Sequence, residues 1–211
     1  MGNQVLVTDE LHDYMVAHGM PLDEIAADLV AETRQLGDVS VMLTTADQAA
    51  LLTTLTRLIS ARRAVEIGTF TGFSALAISR GLPDDGKLIC LDVSDEWTSI
   101  GRRYWERAGV ASKIELRIGD GHELAAALDG SFDLAFVDAD KAGYVDYFER
   151  LVPLIRPNGL MLFDNTLAGG RVVEADGPVD RKEFNAHIAK DDRVDVVILG
   201  IGDGLTLVRK K

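Results

Sequence analysis

The sequence predicts an α/β fold: a seven-stranded, mostly parallel sheet with helical crossovers, a C-terminal antiparallel hairpin and extra helices at the N-terminus. Short β-rich apolar runs alternate with helical stretches from Ala64 onward. The first five runs are separated by connections long enough for the helices that link parallel strands. The last two runs, 194–201 and 205–209, are separated by only Gly202-Asp203-Gly204, which is too short for a crossover and forces an antiparallel turn.

Met15, Ile25, Leu29 and Val30 recur at helical spacings over residues 11–36, and Ala49, Leu52, Leu55, Leu58 and Ile59 do the same over 46–60. Residues 1–60 therefore read as N-terminal helices preceding an α/β core at 61–211, all within one domain. Strands are predicted at 64–67, 87–92, 114–118, 134–138 and 159–163, ahead of the hairpin pair. Helices are predicted between them at 74–80, 98–108, 121–128, 141–152 and 181–189. No repeat or low-complexity tract interrupts the 211 residues, and the five prolines fall at turns or helix starts.

Hydrophobic residues at 47% provide a real core, so disorder is excluded as the main state. Lys plus Arg number 22 against 34 Asp plus Glu, a formal charge of −12 that repels nucleic acid and anionic membranes. The single cysteine, Cys90, sits among Leu88, Ile89 and Leu91 as a buried strand residue, which excludes disulfide scaffolds and cysteine-rich zinc sites. Met1–Glu10 lacks the basic and apolar segments of a secretion signal, and no run approaches membrane-spanning length, so the expected location is the cytoplasm.

The segment Val65–Ser74 runs from strand through Gly68 and Gly72 into a helix, at the sheet edge where open α/β folds bind ligands. Glu66 precedes the first glycine, and Asp92 ends the next strand 26 residues later (92 − 66), where it would accept hydrogen bonds from ribose hydroxyls. A dinucleotide site would need a third glycine, and Glu66 would repel a pyrophosphate. The same carboxylate suits a ligand carrying ammonium and sulfonium charges, such as S-adenosylmethionine. The competing reading is a glycine turn made for packing alone.

A second cluster closes the next strands. Phe136-Val137-Asp138-Ala139-Asp140-Lys141 and Leu162-Phe163-Asp164-Asn165 are apolar runs ending abruptly in acids and an amide. Asp138, Asp164 and Asn165 offer three hard oxygen ligands with positions left for water or substrate, as octahedral Mg²⁺ requires. Lys141, at the positive end of a helix dipole and near such a metal, is a candidate proton acceptor. The alternatives are that Asp138 and Asp140 cap the following helix, that Asp164-Asn165 is a turn, and that Lys141 is a solvated surface residue.

At these residues the sequence resembles the cation-dependent O-methyltransferases, the family of the caffeoyl-CoA O-methyltransferases, their bacterial relatives and, more distantly, catechol O-methyltransferase. The resemblance is carried by VEIGTFTGFS at 65–74, Leu91-Asp92, FVDADK at 136–141 followed by Tyr144, FDNTL at 163–167 and IGDGL at 201–205. It implies a Rossmann-like class I methyltransferase fold, S-adenosylmethionine as donor, a divalent cation, a vicinal dihydroxy aromatic acceptor and a homodimer. It assigns donor binding to Met42, Thr44, Glu66, Gly68, Thr69, Ser74, Asp92, Asp120, Gly121 and Asp140, metal binding to Asp138, Asp164 and Asn165, and the general base to Lys141. Ala168 departs from the family tryptophan near the acceptor, and residues 171–182 hold only Arg171, Arg181 and Lys182 as basic residues, which favours a small free phenol over a CoA thioester.

His122 falls at the expected adenine edge or on the surface, and Trp97 lies against adenine or packs internally. Two other functions compete: a non-catalytic S-adenosylmethionine binder, and a nicotinamide-dependent oxidoreductase. The first would not need the second cluster, and the second lacks the three-glycine fingerprint and an evident Tyr-x-x-x-Lys pair.

Overall fold

The computed structural model describes residues 5–211; the first four residues of the stretch expected to lack a secretion signal lie outside it. The strands are β1 (Arg63–Ile67), β2 (Lys87–Asp92), β3 (Ile114–Ile118), β4 (Phe132–Val137), β5 (Ile155–Phe163), β6 (Val194–Leu199) and β7 (Leu205–Lys210). They form one sheet in the order β3-β2-β1-β4-β5-β7-β6. The pairings β3-β2-β1-β4-β5 are parallel, and β7 runs antiparallel to both β5 and β6. The order reverses between β1 and β4, the kind of switch point where open α/β sheets bind ligands.

The helices are α1 (Asp9–His18), α2 (Glu24–Arg34), α3 (Ala46–Leu58), α4 (Phe73–Gly81), α5 (Asp95–Arg107), α6 (Gly121–Ala126), α7 (Tyr144–Leu151) and α8 (Val179–Ile188). Alternate strand residues face opposite layers. Ala64, Leu88, Cys90, Leu134, Phe136 and Leu162 pack with apolar residues of α2–α5, whereas Val65, Ile67, Ile89, Leu91, Val137, Met161 and Phe163 pack with those of α6–α8. Cys90 is fully buried, as its neighbours predict.

The helical spacings read over 11–36 resolve into two helices, α1 and α2. Gly19 and Pro21 interrupt the backbone, and Asp23 restarts it by accepting the Ala26 N–H at 2.8 Å as the N-cap of α2. α1 contributes no buried residue. The helix expected from Lys141 begins only at Tyr144, after a 3₁₀ turn over Lys141–Gly143. β5 starts at Ile155, before the expected 159, with a register shift between Phe132 and Leu134 of β4 that absorbs the extra residues. Among the described residues, no helix is long and apolar enough to cross a membrane.

Candidate active site

The sheet ladder continues one residue beyond β1, β4 and β5. Gly68 N–H donates to Leu91 O at 2.9 Å, Asp138 N–H to Ile67 O at 2.8 Å, and Asp164 N–H to Val137 O at 3.0 Å. Gly68, Asp138 and Asp164 therefore stand side by side at the ends of three neighbouring strands. Crowding fixes the residue type at the first of them: Gly68 has φ +87°, and a Cβ there would fall 2.2 Å from Asp138 O. Gly72, at φ +79°, starts α4, and its missing side chain admits the Trp105 ring, whose Nε1 donates to Gly72 O at 2.9 Å.

A cavity of about 910 Å³ opens over this row. It gathers Met42 and Thr44 from the segment before α3, and Gly68, Thr69, Ser74 and Asp92 around the glycine loop. Asp120 and Gly121 come from the β3–α6 turn; Asp138, Asp140, Lys141, Asp164 and Asn165 come from the strand ends. Of the residues to which the sequence assigns donor binding, metal binding or base catalysis, only Glu66 does not line it.

Glu66 points from β1 into the layer under α4 and is fully buried. Neither carboxylate oxygen has a hydrogen-bond partner, and the Thr69 hydroxyl beside it has none either. Burial pushes the carboxyl up to about 7, with Asp92 adding to the shift; the nearby Ser74, Thr69 and Cys90 side chains oppose it. Asp92 supports the backbone around it: Oδ2 accepts the Thr69 and Phe70 N–H groups at 2.8 and 2.7 Å, and Oδ1 accepts Ser94 N–H at 2.8 Å. It pins the glycine loop to the end of β2 and keeps one carboxylate lone pair in reserve.

Asp120 caps α6 by accepting the His122 and Glu123 N–H groups at 2.9 and 3.0 Å. Asp140, in contrast, caps nothing. Its Oδ1 accepts from the Tyr147 hydroxyl at 2.6 Å, and its Oδ2 lies 3.2 Å from His122 Nε2, while the His122 and Tyr147 rings stack at 4.5 Å. His122 and Trp97 both line the cavity.

At the other end, Lys141 Nζ donates to Asp138 Oδ1 at 2.5 Å and to the Tyr144 hydroxyl at 3.0 Å, and that hydroxyl donates to Asp164 O at 2.8 Å. Lys141 is thus held by side chains over the cavity and is not a solvated surface residue. Asp164 is 4% exposed and accepts Asn165 N–H on Oδ1 at 2.7 Å and Gln48 Nε2 on Oδ2 at 2.8 Å. Burial, then the neighbouring Asp138 charge, pushes its carboxyl up to about 6. Two carboxylates and the Asn165 amide form a hard oxygen donor set able to hold a divalent cation.

A separate group, Glu149, His187 and Asp191, also brings ligand atoms within 4.8 Å of one another. The Arg193 guanidinium already fills it, at 2.8 Å from Glu149 and 2.5 Å from Asp191. Ala168 does not line the cavity; it has φ +49° and opens a 3₁₀ stretch over Ala168–Val173.

The sequence profile of a family described as O-methyltransferase matches residues 17–211. The chain belongs to the O-methyltransferase family. Tricin synthase 1 of Oryza sativa subsp. japonica is 40% identical to this O-methyltransferase over 201 residues, covering 86% of this chain and 79% of the relative. Caffeoyl-CoA O-methyltransferase 2 of Zea mays is 37% identical over 223 residues, covering 98% and 84%. The S-adenosylhomocysteine-bound Podospora anserina methyltransferase PaMTH1 superposes with a TM-score of 0.90 at 26% identity, covering all of both chains. TomG of Streptomyces achromogenes, solved with S-adenosylmethionine, gives 0.87 at 28% identity over 96% of each chain. The enzyme is thus an O-methyltransferase of the caffeoyl-CoA O-methyltransferase type, and the comparisons lend no support to an oxidoreductase or a silent binder.

Two residues of this O-methyltransferase escaped the sequence reading, Gln48 on Asp164 and Tyr147 on Asp140, while Tyr144, noted there only as part of a motif, supports Lys141. Gln48 is a lone amide beside Ala49 and Leu52 on the buried face of α3. That polar interruption is the one signal that would have marked it.

Proposed function

We propose that this enzyme transfers the methyl group of S-adenosylmethionine to one hydroxyl of a vicinal dihydroxy aromatic, with Mg²⁺ or another divalent cation bound by Asp138, Asp164 and Asn165. The observation that carries the reading is the row Gly68, Asp138, Asp164, which brings a glycine loop and two strand-end carboxylates into one cavity. An unpartnered carboxylate at Glu66 fits a donor bearing ammonium and sulfonium charges. The oxygen donor set of Asp138, Asp164 and Asn165 fits a hard cation.

A cation held there would supply a Lewis acid that lowers the pKa of a coordinated phenol from near 10. Asp92 holds the glycine loop in shape beside the donor. Asp120, Gly121 and Asp140 line the adjoining wall, with Asp140 steered by Tyr147. Lys141, as the neutral amine, takes the proton of the attacking hydroxyl to become the ammonium, and Tyr144 holds that nitrogen at the cavity edge. The chain's main contribution is to present the oxygen to the methyl carbon at about 3 Å in line with the leaving sulfur.

Among the described residues lining the cavity, Lys141 is the only lysine or arginine, whereas six aspartates face it. Arg171 pairs with Glu174, Arg181 with Asp180, and Lys182 with the Glu174 carbonyl, so the nearby basic residues have local partners. This favours a small free phenol over an acceptor bearing a coenzyme A diphosphate. The test is methyl transfer from labelled S-adenosylmethionine to catechols, matched monophenols and caffeoyl-CoA, each with Mg²⁺ and with EDTA. Mg²⁺-dependent transfer confined to vicinal diols is expected; equal transfer to monophenols in EDTA would sink the chelate.

The same reading includes a cytoplasmic homodimer with no nucleic-acid or membrane partner. Tyr14 and Met15, on a helix with no buried residue, are 60% and 44% exposed and suit a second copy. Light scattering on the purified chain tests it, a monomer mass being the contrary result.

A further inference from the structure

Gln48 is 1% exposed and lies 116 positions in sequence from its partner, on a helix outside the α/β core. Burying a primary amide is costly unless its groups are paired, so the contact it makes identifies what the residue is for. The partner is a carboxylate, which accepts only, so the amide nitrogen must be the donor and the amide orientation is fixed. Hydrogen bonds to an ionised acceptor are stronger and more directional than neutral ones.

The consequence falls on Asp164. Asn165 N–H takes a lone pair on Oδ1 and Gln48 Nε2 takes one on Oδ2, so the two that remain, one on each oxygen, are set in direction. Gln48 is also backed from behind. Its Oε1 lies under the β6–β7 turn, where Gly202 has φ +54° and a Cβ would come within 2.9 Å of that oxygen. The amide thus sits between the end of β5 and the turn, at the wall of the cavity.

We propose that Gln48 is a positioning residue: it aims the Asp164 carboxylate into the cavity and fastens α3 to the reactive end of the sheet. The inference rests on Asp164 being a cation ligand, as argued above. A partner that orients a ligating carboxylate controls metal affinity without touching the metal, and its loss typically weakens binding about 10–100-fold.

The experiment uses the full chain and Gln48→Met, which keeps side-chain length and removes the donor. Mn²⁺ binding is followed by electron paramagnetic resonance, and S-adenosylhomocysteine binding by calorimetry. Gln48→Met should weaken Mn²⁺ about 10–100-fold, leave S-adenosylhomocysteine affinity unchanged, and raise the Mg²⁺ concentration for half-maximal rate more than it lowers the rate at saturating Mg²⁺. Equal Mn²⁺ affinity in variant and wild type would overturn the proposal, as would a matched loss of both ligands, which marks a packing role only. Failure of the wild type itself to bind Mn²⁺ while it binds S-adenosylhomocysteine would instead remove the cation reading, and Gln48's role with it. If Gln48→Met does not fold, Gln48→Ala is read by the same two titrations.

Discussion

Replacing Glu66 by Gln separates what the buried carboxylate costs the fold from what it gives the ligand. Its carboxyl is raised from 4.5 to about 7 by burial, so the folded chain keeps a proton that the unfolded chain releases between these two values. Stability from this group is therefore fully present below pH 4.5 and is lost as pH rises through about 7. The shift corresponds to at most about 3 kcal/mol above pH 8, or roughly 6–12 °C in melting temperature for a domain of this size. Glu66→Gln keeps the shape without the charge. The ligand-free variant should melt with the wild type near pH 5 and above it at pH 8. The wild type should regain stability when S-adenosylmethionine brings its positive charges, releasing about half a proton per site near pH 7. That release is read by calorimetry in buffers of different ionisation enthalpy. The variant should lose both the ligand-induced melting shift and the proton release. Parallel melting curves at every pH, or undiminished donor affinity in the variant, would refute the reasoning.

Asp138→Ala should abolish Mg²⁺-dependent turnover while S-adenosylhomocysteine still binds, and full activity in EDTA would remove Asp138 from the metal set. Lys141→Ala should lower kcat by about 10²–10⁴, the usual contribution of a general base; an unchanged rate across the pH range is the contrary result. Gly68→Ala puts a Cβ 2.2 Å from Asp138 O at φ +87°, and should cost at least about 2 kcal/mol of stability in a denaturant titration together with donor affinity. Ala168→Gly relieves a left-handed backbone at φ +49° and should raise stability by about 1 kcal/mol without changing catechol turnover.

The parallel sheet, the terminal hairpin and the acids at the strand ends were legible because each depends on local pattern: apolar runs, connection length, and an abrupt change from apolar to acidic. The boundary between α1 and α2 at Gly19 and Pro21 is written in the sequence, but apolar spacing alone, which runs across it, does not place it. Glu66 was recognised as a ligand-loop residue, yet its placement beneath the cavity wall depends on which sheet face α4 covers, which periodicity does not report. Asp92 and Asp120 were legible as candidate site residues, and both line the cavity, but not as supports for the backbone around them, because a carboxylate's backbone partners depend on loop conformation. Ala168, which stands where the family has a tryptophan, is absent from the cavity lining and has a left-handed backbone, a conformation that residue type alone does not announce.

The row Gly68, Asp138, Asp164 works as a ruler. Its marks are separated by the strand-to-strand repeat of a hydrogen-bonded sheet, about 4.8 Å, so the span from first to last is about 10 Å whatever the loops above are doing. A change in the segments over the cavity can therefore alter which molecule is admitted while the spacing of the reacting parts stays constant. Selection on this scaffold has acceptor choice and reaction geometry as separately adjustable quantities.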